Sequence, residues 1–252
     1  MDKKKQNRSS SLSGISLAGL VFAAGAAIAA VLSGFGSHAG LWKFTTGFKI
    51  LEAAVLCAGA SSVIALVGFA FAFYEKSVKN LIISFIGLLL GLVVFAVPFS
   101  WYLAAKHLPK IHDITTDTEN PPGFVAVLPL RKDAANAPEY GGPDIAQKQR
   151  EAYPDIKPLM LDIPADKAFE KALDAAYSMS WYIVDADKEN LRIEATDTTF
   201  WFGFRDDIVV RITPLDSKSR IDVRSESRVG LSDVGTNAAR IRKYLRKLSK
   251  KG

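Results

Sequence analysis

The chain has 252 residues with 32 Lys/Arg and 26 Asp/Glu, enough for one or two domains. Residues 1–103 hold eight of the basic and three of the acidic residues, which leaves that part at +5 and residues 104–252 at +1. A nucleic-acid partner would need a basic stripe on the polar half itself, so the distribution argues against one. Cys57 is the only cysteine and sits in an apolar run, so cysteine usage decides nothing about the redox compartment.

Three apolar, uncharged runs follow a basic tail at residues 1–14: Ile15–Phe35, Ala53–Phe73 and Leu81–Leu103. About 20 helical residues span a hydrocarbon core of roughly 30 Å, so each run predicts a membrane-crossing helix within residues 15–103. Ser37-His38-Ala39 resembles a signal-peptide cleavage site, but the preceding run is longer than a signal core. Lys3, Lys4, Lys5, Arg8, Lys76 and Lys79 fall on one side of the three crossings, and Lys43 and Lys49 on the other. The positive-inside rule then predicts a cytoplasmic N-terminus and a domain outside the cytoplasm, on the periplasmic side of a bacterial inner membrane. Gly87 and Gly91, like Gly25 and Ala29, have the small-xxx-small spacing that allows close helix approach. The expected outcome is a three-helix bundle, with homo-oligomerisation through Gly87 and Gly91 as a further use. Glu52 lies at a helix edge, where it reaches the interface, and Pro98 predicts a kink in the third helix.

Residues 104–157 read as a linker and a loop-rich entry to a core over 158–252. Lys106–Gly123 is polar and aperiodic, hence loop; Phe124–Leu130 reads as a short strand, Asn136–Asp144 as loop and Ile145–Tyr153 as a short helix. Leu159–Ile163 predicts a strand and Pro164 opens a helix to about Met179, with Phe169, Ala172, Leu173 and Ala176 inward. Four strands follow, Trp181–Ala186, Leu191–Thr196, Ile208–Thr213 and Arg220–Glu226, alternating apolar and charged residues across polar turns. That period predicts a meander with one buried and one wet, charged face. A last helix runs from about Asp233 to Leu248, with Val234, Ala238, Ile241, Leu245 and Leu248 on its apolar stripe. Ser232 or Asp233 caps its start, and Arg246, Lys247, Lys250 and Lys251 crowd its end. The fold class is therefore α+β: three transmembrane helices, then an antiparallel sheet with helices packed on one face.

Three stretches stand out: Arg224 to Asn237 with its closing Arg240, Ile111 to Asp117, and Asp206 to Arg211. Together they resemble the uncharacterised bacterial family Domain of Unknown Function 1499, over roughly Pro109 to Leu248. Members often carry N-terminal membrane helices. The resemblance implies a domain type and no established activity or catalytic residue.

The chemistry-bearing residues form a short set. Arg224, Arg228, Asp233 and Asn237 lie on a strand-to-helix turn where a helix N-terminus and two guanidinium groups suit a small anion. The structural alternative is that Arg228 pairs with Asp206, Asp207 or Asp233 and pins the turn. His112, Asp113, Asp117 and Glu119 cluster in a loop, but their spacing matches no ligand motif, so neither metal nor cofactor is expected. Asp206 and Asp207 are adjacent on a strand and point to opposite faces. Asp185 and Asp187 share a face that is expected to meet solvent. No nucleophilic triad, phosphate loop or dinucleotide fingerprint is present in the sequence. Thr199–Phe204 holds four aromatic residues, read either as a core strand or bulge or as a contact with the membrane surface or a lipid pocket. Two functions follow: a non-enzymatic envelope protein binding a partner, lipid or small anion through these segments, or an envelope hydrolase or transferase using carboxylates near His112 and Asp207. The tentative ligand set is His112, Asp117, Asp207, Arg224, Arg228, Asp233 and Asn237.

Overall fold

The computed structural model describes residues 3–249, with side chains from Ser13 onward. Lys250 and Lys251 lie outside the described residues, as do the side chains of Lys3, Lys4, Lys5 and Arg8. Two compact units form: residues 1–106 with 200–203, and residues 107–199 with 204–252.

The first unit consists of α1 (Lys3–His38), α2 (Phe44–Tyr74) and α3 (Val78–Lys106), each containing a segment long and apolar enough to cross a membrane. Helix α1 takes in the basic tail, which the sequence reading kept apart from the first apolar run. The packing is inverted relative to a water-soluble bundle. Ala23, Ala26, Ala54, Ala58, Ala65, Ser16, Ser61 and Ser84 are buried, whereas Leu17, Phe22, Leu56, Leu66, Ile82 and Leu89 point outward. Water would drive the large side chains in; lipid does not, and association then rests on close backbone contact between small residues. A Cβ on Gly87 would lie 3.0 Å from the Leu20 backbone, and one on Gly91 would strike Ser62. Both glycines therefore serve packing within one chain. Gly25 faces open space instead. Helix α3 continues through Pro98.

The tip Phe200–Gly203 belongs to this helical unit. The Trp201 indole N–H donates to the Val31 carbonyl oxygen at 3.0 Å, and His38 Nδ1 lies 2.9 Å from the Phe200 carbonyl oxygen. A Cβ on Gly34 would collide with the Trp201 ring, and one on Gly47 would come within 2.9 Å of Phe202. Trp101 packs edge-on against Trp201, with ring centres 5.9 Å apart. The aromatic run is thus a turn seated on the helices. Its Gly203 adopts φ +70°, a conformation that favours glycine.

The second unit is a six-stranded antiparallel sheet. Its strands are β1 (Asp113–Thr115), β2 (Leu159–Leu161), β3 (Tyr182–Asp187), β4 (Arg192–Thr198), β5 (Arg205–Leu215) and β6 (Lys218–Ser227). The order is β1-β6-β5-β4-β3. Strand β2 shares the outer edge of β6 with β1, pairing Leu159 with Ile221 while β1 pairs Asp113 with Glu226. Strand β1 falls where the sequence reads as loop, because three residues are too few to show a period. Its free edge is closed by a side chain. Gln149 of α4 (Pro143–Ala152) accepts from the Thr115 N–H at 2.9 Å and donates to its carbonyl at 2.6 Å, as a neighbouring strand would. Phe124–Leu130 forms no strand; it ends in a 3-10 turn, Leu128–Arg131.

Helices α5 (Ala165–Ser178) and α6 (Thr236–Ser249) cover one face. Ile193, Ala195, Ile208, Val210, Ile212, Ile221 and Val223 meet Phe169, Ala172, Ala238, Ile241 and Tyr244 there. Tyr244 stacks on Trp181 with centroids 4.8 Å apart, and its hydroxyl donates to the Ala172 carbonyl at 2.7 Å. Helix α6 starts three residues later than Asp233, which caps it: the carboxylate accepts from the Asn237 N–H at 2.7 Å and the Gly235 N–H at 2.9 Å. Ser232 accepts from the Val234 N–H at 3.2 Å. Val234 precedes the helix and is exposed, so it leaves the predicted stripe.

The opposite face corrects the sequence reading most. Glu194, Asp207, Asp222, Arg224 and Glu226 on it are buried, because residues 116–142 fold across them as a cover. Phe124 and Val127 from the cover pack on Val209 in a second small apolar core. The cover is fastened by Glu194 of β4, whose carboxylate accepts from the Val125 N–H at 2.9 Å and the Val127 N–H at 3.0 Å.

Candidate functional site

The cover seals six ionisable side chains against the sheet: Asp113, Asp207, Glu226, Arg131, Arg224 and Arg228, all buried. Alternation brings them together. Asp113 on β1, Glu226 and Arg224 on β6 and Asp207 on β5 sit at cross-strand positions on one face, with Asp113 opposite Glu226 and Asp207 opposite Glu226. Arg131 descends onto them from the cover.

Arg228 and Arg224 each grip one carboxylate bidentately, and Arg131 bridges two. Arg228 Nε and Nη2 donate to the two Asp207 oxygens at 2.9 and 2.8 Å. Arg131 Nη1 donates to Asp207 at 2.7 Å and its Nη2 to Glu226 at 2.9 Å. Arg224 grips Asp113 through Nε and Nη2, both at 2.9 Å, and its guanidinium lies 4.7 Å from the Phe124 ring centre. Thr196 Oγ1 donates to Asp207 at 2.7 Å. Asp207 thus accepts four hydrogen bonds, close to the capacity of a carboxylate. Spare guanidinium donors reach the cover's backbone at Pro122, Leu130, Asn136 and Pro138. Among the described residues, two buried polar atoms beside the cluster, Arg131 Nε and the Tyr140 hydroxyl oxygen, have no hydrogen-bond partner.

Burial, and then the Asp113 charge, push the Glu226 carboxyl up to about 8, against the pull of Arg131 and Arg224. Burial also raises Asp113, opposed by its hydrogen bonds from Arg224. The Tyr140 hydroxyl is pushed up to about 12, by burial first and then by Asp113.

The seven sequence-predicted residues separate into three places. Asp207, Arg224 and Arg228 meet in the covered cluster. Asp233 and Asn237 lie on the helix-covered face, in a second network with Asp206, Ser225 and Arg240. There Arg240 binds Asp206 at 2.6 Å and Asp197 at 2.8 Å, and Arg240 Nη1 also meets Asn237 Oδ1. Ser225 donates to Asn237 at 2.7 Å. Adjacent Asp206 and Asp207 do point to opposite faces. Asp117 sits at the half-exposed far end of the covered face, where it binds Arg220 at 2.6 Å and Arg211 at 3.2 Å. His112 meets the second network through its backbone: its carbonyl accepts from Asn237 Nδ2 at 2.9 Å. Asp185 and Asp187 share Arg192, at 3.2 Å each. Among the described residues no group of three or more His, Cys, Asp or Glu is placed to hold a metal.

Arg131, Glu194, Thr196, Tyr140 and Gln149 escaped the sequence reading. Arg131 sits in an aperiodic stretch with no neighbour to mark it. Glu194 was visible only as the outward member of an alternating strand, and only the fold of the cover buries it.

These observations define a class: an α+β domain with a sealed ion cluster, joined to three helices of membrane-crossing length. The chain belongs to the DUF1499 family, described as "Protein of unknown function (DUF1499)", which matches residues 113–248. The match runs from β1 to the end of α6 and leaves out the three helices. No curated protein matches the chain.

Proposed function

We propose that this protein is a non-enzymatic integral protein of a bacterial inner membrane. Its N-terminus is cytoplasmic, and its periplasmic domain binds a partner protein, a lipid or a small anion. The observation that carries the non-enzymatic part is the occupancy of Asp207. A general base needs a lone pair free to take a substrate proton, and each Asp207 oxygen already accepts two hydrogen bonds. The cluster holds the cover down and so builds a rigid surface for recognition.

The excess of Lys and Arg at residues 3–8 and 76–79 supports the orientation. Trp42, Trp101 and Trp201 gather at the opposite end of the helical unit, as in the aromatic belts at membrane interfaces. A reporter active only in the periplasm, fused after Leu103 or at the C-terminus, is expected to be active; activity confined to a cytoplasmic reporter would reverse the orientation.

One observation favours the hydrolase or transferase reading. The Glu226 carboxyl, raised to about 8, has the proton affinity of a general acid. Asp207→Asn separates the two. An enzyme keeps its fold and loses turnover, whereas a binding scaffold loses stability.

A further inference from the structure

We propose that the turn Val229–Gly235 inserts into the bilayer interface as a lipid-contacting loop, which deepens the binding reading above by naming its partner as lipid. The turn presents two large apolar side chains to solvent, Leu231 at 82% exposure and Val234 at 50%. They are not loose. Ser232 between them donates to the Pro109 carbonyl at 3.3 Å, the Asp233 N–H donates to the Ile111 carbonyl at 3.1 Å, and the buried Asp233 carboxylate caps α6. Two aliphatic side chains held outward three positions apart on a fixed turn form an apolar patch of the kind that marks an interaction site.

Chain connectivity identifies the occupant. Pro109, which bonds Ser232, is the third residue after Lys106, the last residue of the third apolar helix. Three extended residues reach about 10 Å at most. A second tether has similar length: the Arg228 N–H donates to the Arg205 carbonyl at 3.0 Å, and Arg205 is two residues beyond Gly203 of the tip carried by the helical unit. Both tethers are short beside the thickness of a bilayer, so the turn can reach the surface of a bilayer that the three helices cross. The flanking charge fits headgroup phosphates. Residues 106–112 contain Lys106, His107, Lys110 and His112 and no acidic residue, and Lys106, Lys110 and Arg205 are exposed. Apolar side chains with basic neighbours match the make-up of segments that lie in a membrane surface.

The test places one environment-sensitive fluorophore on the full chain. In a Cys57→Ala background, Leu231→Cys, Val234→Cys and Ser217→Cys are labelled separately. Each is reconstituted in vesicles of phosphatidylethanolamine and phosphatidylglycerol with and without acyl-chain nitroxide lipid. Ser217 lies in the turn at the far end of β5, about 35 Å along the strand from Arg205. The expected result is blue-shifted emission at Leu231 and Val234, quenched by nitroxide lipid at least about twofold more than at Ser217. Emission at both turn positions as aqueous as at Ser217, and quenched by iodide alone, overturns the proposal. Shielding from iodide and from nitroxide lipid alike also overturns it, since a protein surface, such as a second copy, then covers the turn. If nitroxide lipid quenches the turn while a catalytic activity is found elsewhere, the lipid contact stands and only the non-enzymatic reading fails.

Discussion

Replacing Asp207 with Asn probes the covered cluster at its centre. The carboxylate is enclosed, and it accepts three hydrogen bonds from guanidinium groups and one from Thr196. An amide of the same shape removes the negative charge and turns an N–H2 group toward Arg131 or Arg228. Arg228 then loses its ion partner, and Arg131 keeps only its ion pair with Glu226. Removing one partner of a buried ion pair costs about 3–5 kcal/mol. Against a typical total of about 5–15 kcal/mol, that is about a fifth or more of the domain's stability. Native-state hydrogen exchange of β5 and β6 amides, on the full chain in lipid nanodiscs, measures the loss for the sheet domain alone. Asp155→Asn is the control. It breaks the half-exposed pair with Arg242, at 2.6 Å, and is expected to cost under about 1 kcal/mol. The double variant with Arg228→Met should lose less than the two single losses combined, by at least about 1 kcal/mol, because the residues share one network. If Asp207→Asn stays within about 1 kcal/mol of the wild type, the carboxylate is not structural, and its burial must serve chemistry instead.

Three further outcomes are expected. Glu226 holds its proton up to about 8 in the folded domain but releases it near 4.5 when unfolded, so the folded state binds more protons between those values. Stability therefore falls as pH rises from 5 to 8, by at most about 1.4 kcal/mol per pH unit from this group. Glu226→Gln should flatten that slope in pH-resolved hydrogen exchange, and an unchanged slope would refute the assignment. Gly87→Val should separate α1 from α3 and lower the thermal stability of the helical unit in detergent, whereas Gly25→Val, facing open space, should not; equal effects would contradict the packing. Trp201→Ala and Gly34→Val should each speed exchange across Thr199–Phe204, and the double variant should do little more, since both release the same ring.

Much of the architecture could be read without coordinates because it rests on local periodicity. The meander appears as period two in β4, β5 and β6, where a strand's alternation states which residues share a face. Asp206 and Asp207 were separable on that ground alone. Alternation says nothing, however, about what covers a face. The one apolar run in 116–142, Phe124–Leu130, reads as a short strand and does not say which face it covers, so a face that reads as solvated is in large part sealed. For the same reason Arg131 stayed hidden while Arg228 did not: Arg228 continues a patterned strand, and Arg131 ends a 3-10 turn. The aromatic tip was conspicuous by composition, but the glycines that seat it, Gly34 and Gly47, lie more than 150 residues away in sequence.

By itself the sequence determined the three apolar helices, the α+β class, the strand and helix order of the core and the family. Each of these depends on side-chain character repeated at short range. Only the tertiary structure decided which charges are buried, how they pair, and that Gly87 and Gly91 pack within one chain. Those outcomes depend on contacts between residues far apart along the chain, where desolvation and partner geometry, not local pattern, set the free energy.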